Sequence, residues 1–232
     1  MSGISITATN PCHLYDMARA LHDRQALGTY YSGYPRWKLR ASQSMRIQSF
    51  PLRTLGVYGL LRYVKPGLRP NDQTLFKWQD EHFDRSVAKA LKPSKAIHAM
   101  PGQCLETFRA AKRLGMQTVL NHATGPTAQM GEALDSEYRR IGMKFDQATG
   151  FDSTYRARED REYELADYHC VASTIVANQL ESSGIGKDRI WIVPYACDES
   201  VSIVKSLLAI RTPSLESSLP ASSLSGKDYA FC

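Results

Sequence analysis

The sequence predicts a doubly wound α/β domain built on a parallel sheet. Two observations carry this. First, short apolar runs ending in Pro, Gly or Asn alternate with segments of helical spacing from residue 4 to residue 198. Second, residues 96–126 show one repeat clearly. Ala96 to Met100 is an apolar run stopped by Pro101-Gly102. Cys104 to Leu114 has helical spacing, with Leu105, Phe108 and Ala111 on one face, and Gly115 ends it. Gln117 to Asn121 is a second apolar run, broken by Thr124-Gly125-Pro126. Strand, helix and strand at this spacing require a parallel pair and a right-handed crossover. In such a sheet ligands bind beyond the carboxyl ends of the strands. His122 stands at one of those ends.

The other elements follow in order. Ile4 to Thr9 is a first strand, Asn10-Pro11 a turn, and Cys12 to Gln25 a helix with Leu14, Met17, Ala18 and Leu21 on one face. Thr29 to Ser32 is a second strand, ending at Gly33-Tyr34-Pro35. Residues 36–69 are the least regular part, with a helix expected around Leu52 to Val64. Asp72 to Leu91 and Thr127 to Gly142 are helices, 142–155 is loop, and Arg156 to Ala166 is a charged helix. Tyr168 to Ala172 is a strand. Ser173 caps a helix through Leu180. Arg189 to Pro194 is a last strand. Residues 199–232 differ in kind, with nine serines in 34 residues and no alternation; they read as a poorly ordered tail, with a short helix at most over Val201 to Ile210.

Composition excludes several classes. The net charge of +6 is modest, and no nucleic-acid module is present, so nucleic acid is not an expected partner. Nine basic residues lie between Arg24 and Arg69, and no acidic residue between Asp23 and Asp72. With the aromatics and leucines around them, they can form a surface for anionic lipid headgroups; the competing reading is a solvated helix face. The cysteines, at 12, 104, 170, 197 and 232, form no metal-ligand spacing, and no signal peptide is evident, so a reduced cytoplasmic protein is expected, peripheral on the inner face of a membrane if the basic surface docks there. The first turn, Thr9-Asn10-Pro11-Cys12, lacks G-x-G-x-x-G, which argues against a nicotinamide or flavin cofactor. Ser183-Gly-Ile-Gly-Lys187 fails the P-loop pattern, since Glu181 replaces its first glycine and Asp188 follows the lysine.

One pattern is more specific. Glu159-x-x-Glu162-x-Glu164-Leu-Ala-Asp167-Tyr-His-Cys-Val-Ala-Ser173-Thr-x-Val-Ala-x-x-Leu180-x-x-x-Gly184, then Arg189-Ile-Trp-Ile-Val-Pro194-Tyr195-Ala-x-Asp198, resembles the end of the N-terminal domain of family-four (group 1) glycosyltransferases. His13-Leu-Tyr-Asp-Met-Ala-Arg-Ala-Leu21 resembles the first helix of that domain, and Asn121-His122-Ala-Thr124 the place where the family has a histidine after a strand. The resemblance covers about residues 4 to 198. It implies a Rossmann-like, doubly wound parallel sheet forming the N-terminal half of a GT-B fold. It also implies retaining transfer from a nucleotide sugar to a glycan or lipid-linked acceptor, without a required metal or cofactor. Three features depart from the family. No donor-binding domain or E-x₇-E motif can be placed after Asp198, the glycine-rich first loop is Asn10-Pro11, and the glycine near position 196 is Ala196. The expected organisation is therefore an acceptor-side domain over residues 1–198, with 199–232 as a tail and the donor domain absent. The alternative is a non-catalytic module, derived from a truncated glycosyltransferase, that binds a glycan, a lipid or a partner.

Candidate residues follow from position. His122, by its strand end and the resemblance, is the expected catalytic residue, contacting the transferred sugar; an imidazole there can hydrogen-bond hydroxyls at neutral pH. The competing reading is a strand-end histidine that bonds backbone. His98 ends the previous strand, and His13 opens the first helix, where amides can meet a phosphate or sugar. Asn10, Gly102, Gln103 and Thr124 lie in strand-end loops and are expected to line the substrate cleft. His169 reads as structural. The Glu159, Glu162 and Glu164 cluster reads as a solvated helix face, and Ser173 as a cap, since no G-x-S-x-G elbow is present.

Overall fold

Seven strands form one sheet: β1 (Ile4–Ala8), β2 (Leu27–Ser32), β3 (Ile47–Ser49), β4 (Ala96–Ala99), β5 (Gln117–His122), β6 (Tyr168–Val171) and β7 (Ile190–Ile192). They come from a computed structural model that describes residues 3–39, 43–144 and 152–195. The strand order is β3-β2-β1-β4-β5-β6-β7, and every pair is parallel. The chain winds outward from β1 to β3, crosses back, and winds outward again from β4 to β7. The switch point, where the two directions diverge, lies between β1 and β4. This is the Rossmann-like sheet that the sequence predicts.

Among the described residues seven α-helices connect the strands: α1 (His13–Asp23), α2 (Pro51–Tyr63), α3 (Asp72–Ala90), α4 (Leu105–Arg113), α5 (Thr127–Arg140), α6 (Ser153–Leu165) and α7 (Thr174–Ser182). Alternation along each strand divides its side chains between two faces. Ile6, Ala8 and Tyr30 meet Leu14 and Ala18 of α1 on one face. On the other, Ile97, Ala99, Leu120 and Val171 pack with Phe108 of α4, Tyr163 of α6 and Leu180 of α7. Tyr31 joins Phe83 and Val87 of α3 in a third cluster.

Helix starts follow two patterns. Asn71, Asp152 and Ser173 cap α3, α6 and α7 with their own side chains, accepting from Thr74, Tyr155 and Val176 N–H. The N-caps of α4 and α5 are Cys104 and Pro126, and neither supplies a side-chain bond. Their amides must be satisfied from elsewhere.

Among its described residues, the irregular stretch holds a 3₁₀ turn (Arg36–Lys38), then β3 and α2. Strand β3, Ile47-Gln48-Ser49, has only three residues and one apolar side chain, too few to show a period in the sequence. The charged helix begins at Ser153, three residues earlier than its spacing indicated, because Asp152 caps it. The chain through Val193 forms one compact unit. The expected tail, with Ala196 and Asp198, lies outside the described residues.

Phe108 is fully buried at the centre of the larger cluster. Phe108→Ala is expected to cost roughly 3–5 kcal/mol, read as a lower urea midpoint at unchanged m-value.

Candidate functional site

The carboxyl ends of β1, β2 and β4 converge at the switch point, and polar side chains tie their loops together. Gln103 Oε1 accepts from Thr9 N–H at 3.0 Å and from Thr9 Oγ1 at 2.9 Å, which joins the end of β4 to the end of β1. Asn10, next in the chain, accepts from the Tyr58 hydroxyl of α2 at 3.4 Å. Helix α2 therefore sits over this end of the sheet. The loop after β2 comes equally close, since a Cβ on Gly33 would lie 2.5 Å from the Thr9 carbonyl oxygen. Only glycine fits there.

The loop after β4 is held from below by a charged cluster. Glu162 of α6 accepts from the amides of Gly102, Cys104 and Leu105, the last two at 3.0 Å. Asp84 of α3 accepts from those of Glu106 and Thr107, both at 2.8 Å. Two carboxylates from other helices thus cap α4 in place of its own N-cap, where the helix dipole also favours them. Arg158 of α6 bridges the pair, contacting Asp84 and lying 3.3 Å from Glu162, and its Nε donates to the Gly102 carbonyl at 3.1 Å. Gly102 takes φ +82°, and Tyr155 packs where its Cβ would be, so no other residue suits this turn. Glu159 does the same for α5, accepting from Thr127 N–H at 3.1 Å and Thr127 Oγ1 at 2.8 Å. The acidic face of α6 is accordingly not a solvated surface. Glu159 and Glu162 are buried caps, and Glu164 alone of the three is exposed.

Three carboxyls surround Arg158. Burial raises Glu162 to about 7, against the Arg158 charge and the Cys104 and Gly102 amides. Asp84 is also raised by burial, against Arg158 and its hydrogen bonds. Asp80 of α3 is half-buried with an enclosed carboxyl, and desolvation lifts it to about 7, against the Thr9 hydroxyl and Arg158. Asp80 faces the same loop end as Asn10 and Gln103, and sequence reasoning missed it. It lies within the polar run Gln79-Asp80-Glu81-His82, which gives no local sign that one carboxyl is enclosed.

The histidines separate into different environments. His122 is only 2% exposed, and its Nε2 lies 3.0 Å from Nδ1 of His169 on β6. The two rings stack, and Tyr163 meets both edge-on. Their outer nitrogens, His122 Nδ1 and His169 Nε2, have no protein partner. Burial holds both rings neutral, with His122 lowered further by His169 to about 3 and His169 by Arg189 to about 4. Two neutral rings share one proton between them and carry the other on an outer nitrogen. His98 faces the opposite side of the sheet, paired with the Asn121 amide at 2.9 Å and lowered to about 4 by burial. The structure therefore does not bring His98 and His122 together. His13 is the first residue of α1, half-buried, its pKa lowered by burial against Asp16. Thr124 is exposed in the loop between β5 and α5. Among the described residues no group of three or more His, Cys, Asp and Glu could hold a metal ion.

Glu162→Ala leaves three amides without their acceptor and removes one of the carboxylates beside Arg158. It is expected to cost about 3–5 kcal/mol and to speed hydrogen exchange at Gly102, Cys104 and Leu105. The buried imidazoles set a pH dependence. Their folded pKa values lie below the unfolded value of about 6.5, so their contribution to stability is complete above that pH and is lost as pH falls through about 4 and about 3. Each imidazole changes stability by up to about 1.4 kcal/mol per pH unit in this window. The urea-midpoint advantage of the native chain over His122→Asn should shrink between pH 7 and pH 4.5; a constant advantage would mean that the pair is not buried and neutral.

No protein-family model and no curated protein matches the chain. Solved structures do match. A UDP-glucosyltransferase from Polygonum tinctorium capable of glucosylating indoxyl superposes with TM-score 0.52 and 11% identity, over 88% of this chain and 56% of that one. Anabaena Alr3699/HepE, in complex with UDP and glucose, gives TM-score 0.50 and 10% identity, over 90% and 51%. The chain spans about half the length of these matches. At this identity the likeness is one of fold, and the fold is a Rossmann-like half of the GT-B architecture.

Proposed function

We propose that the chain is the acceptor-side half of a retaining glycosyltransferase, transferring a sugar from a nucleotide sugar to a glycan or lipid-linked acceptor. The observation that carries this reading is the polar loop cluster of Thr9, Asn10, Gly102 and Gln103 at the switch point of a GT-B half. The occupied helix starts support it. Glu162 and Asp84 fill the α4 N-terminus and Glu159 that of α5, the positions where a diphosphate would otherwise dock. The donor diphosphate then belongs to a second half, supplied in cis or by a partner. The donor is a substrate, and no cofactor is invoked. Asn10, His13, Gln103 and Thr124 line the acceptor side, Gly102 shapes it, and His98 backs it through Asn121. His122 offers Nδ1, which no protein group engages, to a sugar hydroxyl. The protein acts in the cytoplasm at an anionic membrane surface.

One observation favours the second reading, a non-catalytic glycan-, lipid- or partner-binding module: the His122 ring is buried against His169 and Tyr163.

Transfer and hydrolysis from a panel of nucleotide sugars, with added membrane lipid, separate the two. In the catalytic reading His122→Ala abolishes transfer, and Gln103→Ala lowers kcat/KM by roughly tenfold through one lost hydrogen bond. A folded chain without turnover, alone or with a donor-domain partner, supports the module.

A further inference from the structure

The sheet has two ends, and the candidate site occupies one of them. At the other, a recess of about 300 Å³ is lined by Gly3, His22, Gln25, Leu27, Ser44 and Arg46. Gly3 precedes β1, Leu27 opens β2 and Arg46 precedes β3, so the recess lies at the amino ends of three neighbouring parallel strands.

Its walls are fixed from behind. Met45 is buried with Leu14 and Ala18 of α1, and the Arg46 carbonyl accepts from Tyr30 N–H at 2.9 Å. Arg46 is thereby anchored through its backbone while the residue stays exposed. His22 Nε2 lies 3.1 Å from Ser44 Oγ, which ties the end of α1 to the same loop. Gly3, at φ +91°, passes so near Gly28 that a Cβ would lie 2.9 Å from its amide nitrogen.

Gln25 adds an independent observation. It follows α1 at φ +56°, the one non-glycine among the described residues in the left-handed region. A helix end of this form favours glycine. The turn closes through backbone alone, with Gln25 N–H donating to the His22 carbonyl at 2.9 Å and Ala26 N–H to that of Leu21 at 2.8 Å. It needs no side chain at position 25. A glutamine there adds a side-chain amide to the recess, and backbone strain of this kind persists where the side chain has a use.

We infer that this recess binds a phosphate group, free or carried by a small phosphate monoester, with Arg46, Gln25 and His22 as donors. The inference does not depend on the glycosyltransferase reading. The lining selects the class of ligand. Among the described residues no carboxylate lines the recess, and Leu27 is its one large apolar side chain, so it suits neither a cation nor an apolar ligand. The donors come from a helix end, a turn and a loop, directions that a tetrahedral oxyanion meets at once, and the guanidinium adds charge-assisted bonds. The α1 carbonyls that would repel an anion are engaged, since those of Ala20, Leu21 and His22 accept from Arg24, Ala26 and Gln25 N–H. The volume exceeds that of one phosphate and leaves room for a small organic group.

Calorimetric titration of the full chain with inorganic phosphate and with ribose 5-phosphate, at an ionic strength held constant with sodium chloride, tests the inference. Saturable binding of both is expected, tighter for the monoester; equal affinities would assign the recess to free phosphate. Arg46→Gln should weaken binding by at least about tenfold, through the lost charge-assisted bonds. Gln25→Gly separates a ligand role from a structural one. It should weaken binding by roughly fivefold and, because glycine suits φ +56°, raise the urea midpoint measured without phosphate. Arg62→Gln, an exposed cation on α2, should leave binding unchanged. Circular dichroism checks that each variant folds. No saturable binding, an affinity unaltered by Arg46→Gln or by Gln25→Gly, or a loss caused by Arg62→Gln would each overturn the inference.

Discussion

The capping of α4 by two carboxylates from other helices is the constraint on which the rest of the structure depends. Glu162 and Asp84 satisfy five of the six amides from Gly102 to Thr107, with Gln103 alone turned elsewhere. Each carboxylate is buried, and each would be costly alone in the interior. They are tolerated because the amides, the helix dipole and Arg158 act on the same few oxygens. This fixes α3, α4 and α6 against one another through polar contacts, in addition to the apolar contact of Phe108 with Tyr163. The larger hydrophobic cluster then fills the space beneath.

From that clamp the geometry of the candidate site follows. Arg158 and Glu162 hold both the carbonyl and the amide of Gly102, so the turn at φ +82° has little freedom. The turn aims Gln103 at Thr9, and Thr9 precedes Asn10. Four loop residues from two strands are thus placed by side chains that never reach the cleft themselves. Asp80 is the exception within the cluster. Its carboxyl meets the Thr9 hydroxyl at the end of β1 instead of the α4 amides.

How far the sequence could show this depends on the range of the signal. Strand and helix periodicity is local, and residues 96–126 revealed a parallel βαβ unit directly. The short β3 carried too few residues for any period. The cap of α7 was legible because Ser173 neighbours the amide it serves; Asn71 and Asp152 carry the same local signal for α3 and α6, but neither was recognised as a cap. The caps of α4 and α5 come from residues 22 to 58 positions away, and no local pattern points to them. A negative signal was available: Cys104 and Pro126 are poor caps, so both helix starts needed partners, and the paired Glu159 and Glu162 had the spacing to provide them. The His122 and His169 contact is hidden in the same way, since strand register brings together two rings 47 residues apart.

The same separation of charges alters what the outside of the molecule presents. The net charge of +6 counts every carboxylate as if it faced solvent. Asp84, Glu159 and Glu162 do not; they are spent on amides and on Arg158 in the interior. Around α2 the stretch between Asp23 and Asp72 contains cations and no acidic residue. A surface can therefore be more basic than the composition states when acids fold inward as caps, and charge placement, more than net charge, decides which partners a face can meet.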